Sequence, residues 1–217
     1  MSIPTRRVAV ALLALAALLL PAAATARQSG EHHHHQHHQA PPASGGVERE
    51  DGLEIPDVEL VDQDGKPVHF YRDLVAGRVV AMNFIFTTCT TVCPPMGANF
   101  AAVQKELGER LGRDVRLISV SVDPVTDTPQ RLKAWGERFG AGDGWTLVTG
   151  PKADVDRLLK ALEVFTPDYV DHSPTVLVGN AATGAWRRAY GLAPAKTLTA
   201  LIDELAATPA DGAGGQR

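Results

Sequence analysis

Cys89 and Cys93 are the only cysteines in this 217-residue chain, and they stand close together in Phe86-Thr87-Thr88-Cys89-Thr90-Thr91-Val92-Cys93-Pro94. An apolar run, Val79 to Phe86, precedes them, and a segment of helical periodicity follows. Two thiols at a strand-to-helix junction have three chemistries open to them: they can close a disulfide, relay electrons by exchange, or clamp a soft metal. A helix N-terminus carries partial positive charge and free N–H groups, and both favour thiolate over thiol. That position therefore serves metal binding and disulfide exchange alike. A purely structural bridge is the poorest of the three accounts. So short a loop constrains the unfolded chain little, and a domain of this size buries an adequate core without one.

Spacing separates the remaining two to some degree. Thioredoxin-type reductases place two residues between their cysteines. This chain places three, which lets both sulfurs point toward one external atom. Two soft thiolates select Cu(I) over harder cations and leave it open for a third ligand. Of the eight histidines, only His69 and His172 lie outside an N-terminal tract. His69 falls in a predicted hairpin, Val68-His69-Phe70, and reads as a surface residue. His172 falls in Tyr169-Val170-Asp171-His172-Ser173-Pro174, just before a predicted strand, where a loop faces the cysteine loop in a sheet of the kind described next. It is the candidate third ligand, against the plainer reading of a loop histidine bonded to nearby backbone.

The elements that must position these residues follow from periodicity. Val58 to Val61 and Val68 to Phe70 read as a hairpin about Asp62-Gln63-Asp64-Gly65-Lys66, with Asp64-Gly65 tolerating positive φ. Val79 to Phe86 is almost wholly apolar, as suits a central strand covered on both faces. Pro94 can open a helix, with Phe100, Val103, Leu107 and Leu111 at helical spacing. Val115 to Val122 reads as a strand. Thr128-Pro129 caps a helix to about Phe139. Trp145 to Val148 is a short strand, and Pro151 to Val164 a helix. Thr175 to Val178 and Ala185 to Tyr190 form a second hairpin, and Pro194 to Ala206 a closing helix. This order predicts an α/β thioredoxin-like fold: a central mixed sheet flanked by helices, with an added N-terminal β-hairpin.

The ends carry their own signals. Residues 1–26 read as an export signal. Arg6 and Arg7 precede an apolar run from Val8 to Leu20, Pro21 breaks it, and Ala24-Thr25-Ala26 is a small-residue cleavage site. A retained membrane anchor is the alternative, since about 20 apolar residues cross a bilayer. The paired arginines are a weak sign of twin-arginine export. Residues 27–50 read as a disordered linker, rich in histidine (His32, His33, His34, His35, His37 and His38) and then in proline and glycine. It acts either as a loose binder of Zn²⁺, Cu²⁺ or Ni²⁺ or as a solvated spacer. Residues 51–207 form the globular domain and 208–217 a Gly-rich tail. Export places the domain in an oxidising compartment, where neighbouring thiols pair unless a reductant or metal intervenes. Net charge is −4 with acids and bases interspersed, and no basic stripe points to nucleic acid.

Three segments, in order, resemble the signatures of the Sco/SenC proteins: Phe86 to Pro94, then Ser119-Val120-Ser121-Val122-Asp123-Pro124-Val125-Thr126-Asp127-Thr128-Pro129, then Asp171-His172-Ser173. The resemblance spans roughly Leu53 to Leu205. It implies a thioredoxin-like copper-binding protein, periplasmic or tethered to a membrane, that serves maturation of the CuA centre of cytochrome c oxidase. Carried over, Cys89, Cys93 and His172 are the ligands of Cu(I) and Cu(II), and the partners are the CuA-bearing oxidase subunit or another copper acceptor and a reductant of the cysteine pair. Asp123, Asp127 and Pro129 match as well, but as residues they read as a turn and a helix cap. Two departures stand out. Thr90-Thr91 replaces the Pro-Asp often found between the cysteines, which removes a carboxylate. Ser173-Pro174-Thr175 is similar to the cis-proline loop of thioredoxin-type reductases, so a cis Pro174 is expected beside the sulfurs. That keeps a second function open, a thiol–disulfide oxidoreductase acting on an acceptor's copper-binding cysteines, with Cys89 and Cys93 catalytic and Cys89 the nucleophile. A peroxidase would need an arginine near the thiolate, and none is near Cys89 in sequence.

Overall fold

The computed structural model describes residues 46–50 and 52–208. The export signal, the histidine tract and residues 209–217 lie outside the described residues. Eight strands form one sheet in the order β1-β8-β7-β4-β5-β6-β2-β3. They are β1 (Val47–Glu50), β2 (Glu59–Asp62), β3 (Pro67–His69), β4 (Val79–Ile85), β5 (Val115–Ser121), β6 (Trp145–Thr149), β7 (Thr175–Asn180) and β8 (Ala185–Tyr190). Four α-helices join them: α1 (Cys93–Leu107), α2 (Pro129–Arg138), α3 (Lys152–Ala161) and α4 (Ala195–Ala206). The expected thioredoxin-like arrangement is present. β4, β5 and β6 run parallel, as strands joined through helices do, and β7 returns antiparallel on the other side of β4.

All seven residues of β4 are buried, because helices or hairpins cover both its faces. The alternation along it feeds two separate cores. Val79, Ala81 and Ile85 face a layer with Phe100 and Val103 of α1, Trp135 of α2 and Ile202 of α4. Val80, Met82 and Phe84 face a layer with Leu158 of α3 and Phe70. Phe70 to Val75 is a short π-helical turn with no sequence signal of its own. It closes on an Ala76 N–H bonded to the Tyr71 carbonyl at 2.7 Å. The added hairpin is β2–β3, hung on β6 at the sheet edge, and Gly65 supplies the positive φ its turn needs. Thr128 caps α2 by accepting from the Arg131 N–H at 3.3 Å, and Pro129 fills the first helical position.

Two expectations need correction. Val47–Glu50, assigned to the linker, is strand β1, paired antiparallel with β8. Three of its four residues are charged, so it has no apolar period, and it forms because the open edge of β8 offers backbone partners. Pro174 is not cis: no cis peptide bond occurs among the described residues. The chain passes from His172 into β7 with extended backbone, and the Pro174 carbonyl accepts from the Gly191 N–H at 2.8 Å.

Candidate metal centre

α1 begins at Cys93, with Pro94 and Pro95 following. The first N–H groups of a helix have no partner within it. The Cys93 N–H donates to the sulfur of Cys89 at 3.3 Å, so Cys89 stands where a capping side chain would. Cys89 is 8% exposed and Cys93 is fully buried, and both thiols are free. Their acidities diverge. Burial pushes the Cys89 thiol up, but hydrogen bonds from the Cys93 thiol, the Cys93 N–H and Thr91 outweigh it and leave it below its usual value. The Thr91 hydroxyl lies 3.8 Å from the sulfur. Burial pushes Cys93 up to about 12, and the charges of Cys89 and Asp127 push the same way. Of two buried thiols, Cys89 thus gives up its proton more easily and Cys93 keeps its own.

Asp127 holds this loop from below. Its carboxylate accepts from the Thr87 N–H at 3.0 Å and the Thr87 hydroxyl at 2.5 Å, and from the Ser121 hydroxyl at 2.7 Å. Burial raises its pKa, while those same donors work against the rise. Arg131 on α2 donates through Nε to the Thr87 hydroxyl at 3.3 Å, which brings a guanidinium within two residues of Cys89 along the chain. By sequence Asp127 reads as a helix-cap residue, and Arg131 carries no signal at all. Their meeting with Thr87, forty positions or more away in sequence, is made by the β4–β5 pairing.

His172 follows one turn of 3₁₀ helix, Tyr169–Asp171, which Asp168 caps by accepting from the Val170 N–H at 3.1 Å. The two loops touch where Phe86 and Tyr169 stack edge-on, ring centroids 5.1 Å apart. The imidazole packs against Phe84. It is 7% exposed and lies edge-on to Phe84, centroids 6.1 Å apart, on the α3 side of the sheet, whereas the sulfurs sit on the α1 side. Burial pushes its pKa down to about 4, with the backbone of Phe84 and Val164 pulling the other way, so the ring is neutral. Its Nε2 is buried without a hydrogen-bond partner among the described residues. No three His, Cys, Asp or Glu side chains among the described residues stand close enough to hold one ion. The structure therefore brings the two sulfurs together and leaves the imidazole on the next loop. His69 is half-exposed, with Asp57 at 3.7 Å and Glu59 at 3.5 Å, a surface residue as its hairpin position suggests. Two sulfurs and a neutral imidazole form a donor set suited to a soft ion.

Residues 47–207 match the SCO1/SenC family model. A SCO1 protein homolog from Bacillus subtilis (strain 168) is 40% identical over 110 residues, covering 49% of this chain and 55% of that protein. A Stutzerimonas stutzeri protein named for copper binding is 34% identical over 134 residues, covering 58% of this chain and 64% of that protein. The chain thus spans less than two thirds of the length of these two relatives. Among solved structures, BsSco, described as a member of the Sco family of cytochrome c oxidase assembly proteins with a disulfide switch, is 28% identical at a TM-score of 0.59, covering 71% of this chain and 94% of that one. The chain belongs to the SCO1/SenC family.

Proposed function

We propose that this chain is an exported copper metallochaperone that binds Cu(I) and Cu(II) through Cys89, Cys93 and His172 and delivers copper to the CuA centre of cytochrome c oxidase. The observation that carries this reading is the pairing of a sulfur cap on α1 with a neutral imidazole whose Nε2 is unpartnered one loop away. Family membership, the copper-binding name of the Stutzerimonas relative and the oxidase-assembly role given for BsSco support it. The sulfurs take the ion at the N-terminus of α1, and the loop after Tyr169 brings the ring round to join them. Shared thiolate ligation then passes the ion to an acceptor.

The test is copper stoichiometry and X-ray absorption on the wild type and on Cys89→Ser, Cys93→Ser and His172→Ala, each also without residues 28–45 so that the histidine tract does not contribute. The deletion stops short of β1. Loss of tight binding in either serine variant, with two sulfur scatterers in the wild type, supports the site. A copper spectrum without sulfur scatterers would reject it. His172→Ala should weaken Cu(II) more than Cu(I), because imidazole matters more to the harder ion.

One observation favours a second reading, thiol–disulfide exchange: the divergence of the two thiols. The Cys89 thiolate would attack an acceptor disulfide and release one acceptor thiolate. Cys93 would then displace the second, leaving a Cys89–Cys93 disulfide and a reduced acceptor, with two electrons transferred. A mixed disulfide trapped by Cys93→Ser supports this reading, and its absence with an oxidised CuA-type acceptor counts against it.

A further inference from the structure

Arg188 on β8 is 3% exposed, and an arginine so buried needs compensation for its charge. It has two partners. Nε is paired with the carboxylate of Glu50, the last residue of β1. Nη2 donates to the Leu162 carbonyl at 3.0 Å, just past the C-terminus of α3, where a cation is favoured. The chain next passes through Glu163, at φ 55 the only non-glycine residue in the left-handed region among the described residues. It then reaches Val164, whose backbone lies against the His172 imidazole. Glu50, Arg188, Leu162, Glu163 and Val164 thus form a continuous path from the edge strand to the candidate ligand.

The strand has little else to do. None of its residues joins either core layer, and Val47, Glu48 and Arg49 are exposed. Beyond its backbone ladder and a rim contact from Glu48 to the Tyr190 hydroxyl, Glu50 is its anchor. A guanidinium suits the task because its fork serves Glu50 and the Leu162 carbonyl at once.

We propose that Arg188 is a positioning residue for His172: with Glu50 it forms a strut that holds the Leu162–Val164 turn against the imidazole and keeps the ring on the α3 side of the sheet. The role of His172 as a ligand rests on the function proposed above, whereas the strut is tested without copper. The measurement is the rate at which diethyl pyrocarbonate modifies His172 in the full-length apo protein, read at that residue by mass spectrometry. Arg188→Met and Glu50→Ala should each raise the rate about tenfold or more, since each leaves a buried group without its partner and frees the turn. Arg188→Lys should not restore protection, because an ammonium lacks the fork. Asn180→Ala removes a buried hydrogen bond to the Leu205 carbonyl at the far end of β7. At matched loss of stability it should leave the His172 rate within about twofold, the sites being too distant to couple. An unchanged rate in Glu50→Ala, or an equal rise in Asn180→Ala, overturns the strut. If Arg188→Met does not fold, Glu50→Ala decides alone. Failure of copper binding in His172→Ala to differ from wild type would instead overturn the ligand assignment and leave the strut standing.

Discussion

Acidification should destabilise the apo protein through His172, and the size of the effect follows from its burial. The ring's pKa falls from the ordinary 6.5 to about 4 in the folded state. Between those values the unfolded chain carries a proton on this ring and the folded chain does not, so stability is fully present above pH 6.5 and is lost as pH falls toward 4. Each pH unit in that interval removes about 1.4 kcal/mol, so the loss is about 3 kcal/mol, a large share of the roughly 5–15 kcal/mol typical of a domain. His172→Gln removes the titration while keeping a polar side chain of similar reach. Urea unfolding of both proteins at pH 7.5, 6, 5 and 4.2 measures the difference between them, in which other titrating groups cancel. The difference should narrow by roughly 2–3 kcal/mol across that range in favour of the variant. Parallel curves, with no narrowing beyond about 0.5 kcal/mol, would mean that the ring is not held neutral and that its place against Phe84 is wrong. Cu(I) bound to the deprotonated sulfurs would add stability by mass action, so the comparison is made on metal-free protein.

Asp127→Ala should cost roughly 2–5 kcal/mol in denaturant unfolding, because the Thr87 N–H and the Thr87 and Ser121 hydroxyls all lose their acceptor; a cost under about 0.5 kcal/mol would remove Asp127 as the support of the cysteine loop. Iodoacetamide at pH 7.5 should label Cys89 at least about a hundredfold faster than Cys93, and comparable rates would contradict the divergent thiol acidities. Gly179→Ala would set a methyl group 2.0 Å from the Trp186 ring on the neighbouring strand, so the melting temperature should drop by an amount corresponding to about 3 kcal/mol or more; a neutral outcome would show that the ring has room to move.

Much of the architecture is legible from pattern alone. β4 shows as an apolar run, β5 through β-branched alternation, α2 through Thr128-Pro129 and both hairpins through their turn residues, because these signals are local. β1 is not legible: Val-Glu-Arg-Glu carries no apolar period, and its strand exists only because β8 has an open edge. The π-helical turn after β3 and the trans geometry at Pro174 also come from packing rather than from composition.

For the site, the amino-acid order by itself determined which atoms are available: two sulfurs, on Cys89 in the loop before α1 and on Cys93 at its first residue, and one histidine in the loop before β7. Covalent order sets their separation along the chain, which folding cannot alter. Tertiary structure alone decided how those atoms differ. Burial depth sets which thiol gives up its proton, and the side of the sheet onto which a side chain falls sets whether the imidazole meets the sulfurs or a phenylalanine. Asp127 and Arg131 reach the cysteine loop from distant segments, and desolvation and long-range pairing exist only once the chain has closed on itself.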